Sequence, residues 1–195
     1  MARGSAVDRK GEQFWADIIV ELGGGRESRI LDVGCNTGDL VILLRSKGFE
    51  VCGCDVNANW KESHFFRPID PQNYRLPYSD ASFDFVISSS VLEHVFDKDI
   101  FFSEISRVLG NNGMSAHLFP SKYYLPVEPH LDVPLVNFFL PKIPELYFYL
   151  FAWLGFRKKY GAPQKRSDTP SVIVSQNVEY CRNHLHYLSN QKIEI

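Results

Sequence analysis

Up to residue 120 the chain alternates between two spacings of apolar positions. Phe14, Trp15, Ile18, Ile19 and Leu22 recur at helical spacing until Gly23 to Gly25 stops them, which predicts an amphipathic helix lying on a sheet. The charged stretch before it, residues 1–11, reads as a flexible tail. Ile30 to Val33 is a short apolar run broken only by Asp32, suited to a buried strand, and Leu40, Val41, Leu43 and Leu44 then return to helical spacing until Gly48. Val51 to Val56 predicts a second strand, Phe66 to Asp70 a third and Phe83 to Ser88 a fourth. Asp97 is placed to cap a helix with Phe101, Ile105, Val108 and Leu109 on its apolar face. Gly110 to Gly113 should end that helix, and Met114 to Phe119 should form the fifth strand. Strands alternating with helices predict a doubly wound, mostly parallel α/β sheet with helices on both faces.

Beyond Pro120 the pattern changes. Residues 122–160 hold 11 of the 27 aromatic residues, and Pro134, Pro141 and Pro144 cut the stretch into short pieces. Its longest apolar run, Leu146 to Phe156, has 11 residues, against the ~20 needed to span a bilayer. Arg157-Lys158-Lys159 follows directly, so residues 146–159 could lie on a membrane surface; a lid over a site or a homodimer contact is the favoured reading. We expect one domain over 12–195, with an aromatic helical insert over 122–170 on the substrate side. Residues 162–172 are polar and read as an exposed loop, while Val178 to Tyr187 fits either a helix or an extended segment.

Composition narrows the classes. A chain of 195 residues with 45% hydrophobic content can bury one sizeable core. A formal charge of -2 and a pI near 6.3 give no electrostatic reason to expect nucleic acid as a partner. Cys52 and Cys54 alternate on a predicted strand without a second ligand pair, and His184 and His186 lack a third ligand, so no metal is expected. Reduced thiols and a charged start without a secretory pattern fit a cytoplasmic setting.

Candidate chemistry gathers at the first strand's end. Asp32 is followed by Gly34 and Gly38, then by a helix start, the arrangement in which an open α/β sheet holds a ligand at its carboxyl edge. A dinucleotide fingerprint would need G-x-G-x-x-G, and the middle glycine is absent, which favours an adenosine ligand without phosphates. Asp55 ends the second strand 23 positions after Asp32, where an acid can grip ribose hydroxyls.

Three blocks in order resemble the class I S-adenosylmethionine-dependent methyltransferases, in their small-molecule, methyltransferase type 11-like branch. They are Leu31-Asp32-Val33-Gly34-Cys35-Asn36-Thr37-Gly38, the strand ending at Asp55, and a long block. The last runs from Leu76-Pro77-Tyr78-Ser79-Asp80-Ala81-Ser82-Phe83-Asp84 through Val91-Leu92-Glu93-His94-Val95 to Arg107-Val108-Leu109. The resemblance spans roughly residues 28–120. It implies a Rossmann-like fold, S-adenosyl-L-methionine as cofactor and methyl transfer to a small molecule such as a sugar or lipid, with oxygen as the favoured acceptor atom.

By the same resemblance Asp32, Gly34, Cys35 and Gly38 would cradle the methionine and ribose portions. Asp55 would bind the ribose hydroxyls, Val56 would pack on adenine, and Ser89 and Val91 would line the methionine side. Asp70 is the nearest candidate for the adenine amino group; a turn-capping role is its alternative. His94 and His130 are the candidate general bases, with His117 also near the cofactor end, and each has the alternative of a structural hydrogen bond. A non-catalytic module using the aromatic segment for a partner or membrane is the competing reading, and a dinucleotide oxidoreductase is third. The family's terminal antiparallel hairpin has no counterpart after residue 120, so the sheet should stop at five parallel strands. Its fifth strand would then be an apolar edge needing cover from the insert or another chain.

Overall fold

The computed structural model describes residues 9–57, 60, 64–120, 127–128, 131, 133–140, 142, 144–156, 164–165 and 167–186. Its contacts divide the chain into two compact units, one of residues 1–91 and 97–118, the other of residues 92–96 and 119–195.

In the first unit the elements follow the predicted alternation. They are α1 (Arg9–Glu21), β1 (Arg29–Val33), α2 (Asp39–Ser46), β2 (Glu50–Asp55), β3 (Phe66–Pro68), β4 (Phe83–Ser89), α3 (Lys98–Val108) and β5 (Leu109–Leu118). All five strands pair in parallel in the order β3-β2-β1-β4-β5. The strand order reverses between β1 and β4, so their carboxyl ends flank the crevice where such sheets hold ligands. β1 and β4 read as near-continuous apolar runs because both their faces are covered. Ile30 and Phe85 pack with Trp15 and Ile19 of α1 and Val41 and Leu44 of α2. Leu31 and Val86 alternate to the opposite face and are equally buried. On β5 the His117 ring meets the edges of Phe101 and Phe102 from α3.

Three boundaries differ from expectation. Helix α1 begins at Arg9, inside the stretch read as a tail, of which residues 1–8 lie outside the described residues. Asp97 does cap α3, accepting from Ile100 N at 3.0 Å, but Gly110 to Gly113 is not a break between helix and strand. The backbone turns extended at Leu109, and the four residues bulge out of β5: Leu109 pairs with Phe83 and Met114 with Phe85. The third difference is in the other unit.

That unit holds β6 (Val127–Glu128), β7 (Val133–Pro134), α4 (Val136–Phe139), α5 (Glu145–Trp153) and α6 (Pro170–His184). α6 starts within the stretch expected to be a loop, because Thr169 caps it by accepting from Val172 N and Pro170 sits at its first turn. Phe148 and Ala152 of α5 pack on Ile173, Val174, Val178 and Cys181 of α6. β6 and β7 form a separate two-stranded antiparallel pair that the sequence did not suggest, and they leave the main sheet at five strands among the described residues. On its last strand, Met114 and Leu118 are 38% and 49% exposed. Among the described residues, no helix is long and apolar enough to cross a membrane.

Candidate functional site

β1 ends in a loop that only small residues can form. Gly34 has φ 78°, and a Cβ there would lie 2.3 Å from the Val91 Cγ2. Gly38 has φ 80°, and a Cβ there would strike the Phe66 ring at 2.3 Å. The loop is closed onto the neighbouring strand by Gly34 N and Cys35 N, which both donate to Cys54 O at 2.7 and 3.1 Å. Asn36, between the glycines, is also left-handed at φ 46°, a region asparagine enters more readily than most residues.

Asp55 joins this loop to the next. Its Oδ2 accepts from Asn36 N and its Oδ1 from Asn57 N, both at 2.8 Å. Each oxygen has a second lone pair, so the carboxylate keeps capacity for two further donors such as a vicinal diol. Val56, immediately after it, is 44% exposed and offers an open apolar platform.

Asp32 is 3% exposed on β1, between Gly53 of β2 and Ile87 of β4. Burial, and then the charge of Asp55, push its carboxyl up to about 8. An acid held protonated in this way favours a cationic ligand that would restore its charge. The neighbouring Cys35 and Cys54 thiols are driven up chiefly by burial, which keeps them neutral and poor nucleophiles. All four cysteines are free, with Cys52 half-buried.

The other candidates fall in different places. Ser89 ends β4 half-buried, and Val91 packs against Gly34, so both lie at the mouth of the loop. Asp70 is exposed and occupied by its own turn, with Oδ1 accepting from Gln72 N at 2.9 Å and Oδ2 from Asn73 Nδ2 at 3.0 Å. His94 belongs to the second unit, on a 3-10 turn over Leu92–His94, where its Nδ1 donates to His184 O at 2.7 Å. His130 lies outside the described residues. His117 is held neutral, its basicity lowered by burial to about 4; Nδ1 is 2.7 Å from Ser88 Oγ and the buried Nε2 has no partner among the described residues.

The long third block is largely a brace. Arg107 at the end of α3 donates to Leu76 O and Tyr78 O and pairs with Asp80 and Glu104, while Glu104 accepts from Leu76 N. Tyr78 in turn donates to Gly53 O at 2.9 Å, tying that loop to β2 beside the glycine loop. A cleft of about 640 Å³ opens on this side, lined by Arg67, Asp70, Leu76, Tyr78 and Arg107 but by none of the Gly34 to Gly38 loop.

Sequence reasoning missed the two amides on Asp55, the Phe66 ring under Gly38 and the Arg107 brace. Asn36, an asparagine between glycines, was a local signal for the first. Nothing in the local pattern pointed to Phe66.

A family model described as a methyltransferase domain matches residues 31–116. Demethylmenaquinone methyltransferases from strains of Staphylococcus aureus are 30% identical over 142 residues, covering 67% of this chain and 58% of theirs. The chain therefore spans little more than half the length of these relatives. Among solved structures, a SAM-dependent methyltransferase from Aquifex aeolicus is 16% identical with a TM-score of 0.49, over 73% of this chain and 79% of that one. An S-adenosylmethionine-dependent methyltransferase from Mesorhizobium loti is 22% identical with a TM-score of 0.44, over 54% and 59%.

Proposed function

Residues 31–116 belong to the methyltransferase-domain family, and from that premise we propose that the chain binds S-adenosyl-L-methionine and transfers its methyl group to a small-molecule acceptor. The observation that carries the reading is the pair of buried acids at the head of the glycine loop. Asp55 suits the ribose diol of either kind of ligand, but the Gly34 to Gly38 loop lacks the middle glycine that a pyrophosphate needs and the buried Asp32 would gain nothing from an anion, whereas a nucleoside bearing a cation and a ribose diol complements both acids. The residues present fit such a group: Asp55 for the diol, Val56 for the base, Asp32 for the cationic end, and Gly34 and Gly38 for a backbone approach that a Cβ would block.

Bound S-adenosyl-L-methionine supplies a methyl group on a sulfonium sulfur, an electrophile already activated. The chain's own residues then have mainly to hold and orient, an effect worth ~7–11 kcal/mol when reacting groups are aligned. His94 is the candidate base. The hydrogen bond from its Nδ1 to the His184 carbonyl fixes the orientation of the ring. His130 is the second candidate. Oxygen on a sugar, lipid or similar molecule is the acceptor class we favour, and a demethylated menaquinone, named in the relatives, is one acceptor to assay. Four free cysteines support a reducing, cytoplasmic setting. The apolar outer face of α5 calls for a partner, either a membrane surface or a second copy of the chain.

Calorimetric titration with S-adenosyl-L-homocysteine and with NAD tests the reading. Binding of the first and not the second is expected, and no heat from S-adenosyl-L-homocysteine at millimolar concentration would end it. Once an acceptor turns over, His94→Gln should lower kcat roughly 10²- to 10⁴-fold with cofactor affinity unchanged.

A further inference from the structure

Helix α5 is apolar on every side, yet only one side is packed. Phe148 and Ala152 are buried against α6, while Leu146, Tyr149, Leu150, Trp153 and Leu154 are 81%, 40%, 51%, 77% and 53% exposed. Their spacing of three and four residues puts all five on one stripe. Large apolar residues scattered singly on a surface need no explanation, but a continuous stripe carrying a tryptophan does.

The charge around the stripe is as unusual as its apolarity. Residues 142–166 hold Lys142, Arg157, Lys158, Lys159, Lys165 and Arg166 against one acid, Glu145, although the whole chain carries a formal charge of -2. Lys142 and Lys165 are exposed. This segment is basic in a chain that is otherwise acidic. A second copy docked through the same face in an isologous contact would bring two such flanks together, and they would repel. An anionic bilayer attracts them instead. α5 has nine residues, too short to span a bilayer, so it would lie along the interface with Trp153 and Tyr149 at the depth that suits amphipathic rings.

We propose that the Leu146 to Leu154 face of α5 docks the chain onto the surface of an anionic lipid membrane, whose headgroup charge complements the basic composition of residues 142–166. The proposal does not rest on the cofactor reading, and its test needs neither cofactor nor acceptor. The chain should float with phosphatidylcholine vesicles containing phosphatidylglycerol and stay behind with phosphatidylcholine alone. Leu146→Ser with Trp153→Ser should weaken binding at least about tenfold. Arg157→Gln with Lys158→Gln and Lys159→Gln should weaken it on the order of a hundredfold at low salt. The first set changes exposed side chains only, and thermal melts check that both variants keep their fold. In the wild type, Trp153 emission should shift to the blue on adding anionic vesicles. Failure of the wild type to float, or equal flotation of the Leu146 and Trp153 variant, would overturn the proposal. So would a lipid-free dimer that this variant dissociates, since a second copy would then be the cover.

Discussion

The Asp55 carboxylate accepts the backbone N–H of Asn36 at 2.8 Å, across 19 residues of sequence, and so ties the loop after β1 to the loop after β2. Its other oxygen holds Asn57 N, which gives one side chain charge of both loops at the sheet's carboxyl edge.

Asp55→Ala therefore removes more than a ligand contact. Two partly buried amides lose their acceptor, at a cost of about 1–3 kcal/mol each if water does not replace it. Chemical denaturation should show the loss, and calorimetry should show weakened S-adenosyl-L-homocysteine binding. Unchanged affinity in a folded variant would remove the ribose role.

Asp32 makes the next prediction. Its folded value of about 8 stands above the ordinary 3.8 of an exposed aspartate, so between these limits the folded state holds a proton that the unfolded state has released. Its contribution to stability is therefore greatest below pH 4, falls as pH rises, and levels off above pH 8. Asp32→Asn should flatten that slope in denaturation curves taken from pH 6.5 to 8. A cationic ligand should also expel the proton. Titrations at pH 7 in buffers of different ionisation enthalpy should detect proton release with S-adenosyl-L-methionine, and a buffer-independent heat would count against Asp32 facing the cation.

His117 acts with the opposite sign. Burial lowers its value from 6.5 to about 4, so stability is fully present above pH 6.5 and is lost as pH falls toward 4. At pH 5 the penalty is roughly 2 kcal/mol, since a tenfold difference in proton affinity is worth about 1.4 kcal/mol. His117→Leu should recover most of it in melts at pH 5 while giving no gain at pH 8. An identical pH profile in the variant would show that another group dominates acid sensitivity.

Arg107 is a brace whose loss should be costly. It satisfies the carbonyls of Leu76 and Tyr78 as well as pairing with Glu104 and Asp80, and both Arg107 and Glu104 are largely buried. Arg107→Ala should lower stability by about 2–4 kcal/mol in urea denaturation. Arg107→Lys should restore only part, because an ammonium cannot reproduce the planar fork that reaches four acceptors. A variant as stable as wild type would mean that the Leu76 to Asp80 loop is held elsewhere.

How far the chain could be read in advance varied with the range of the forces at work. β1 and β4 were legible because strands buried on both faces leave unbroken apolar runs, and α3 because a capping aspartate and its apolar face are local features. Asp32, Gly34, Gly38 and Asp55 were legible because each closes or opens an element, where residue type is dictated by backbone shape. α6 was half-read: its start at Pro170 rests on one cap, and the polar residues around that cap resemble a loop until the helix has something to pack against.

By itself, then, the sequence determined the alternation of strands and helices, the position of the glycine loop and the two acids beside it, all set by spacing within a few residues. Only the tertiary structure decided what those groups meet. The two amides on Asp55, the Phe66 ring beneath Gly38, the carbonyl of His184 that orients His94 across 90 residues, and the side of α5 that is left in water depend on elements far apart in the chain. Such contacts form only once burial has already met the entropy of closing the intervening loops, and no local pattern encodes which surfaces that burial brings together.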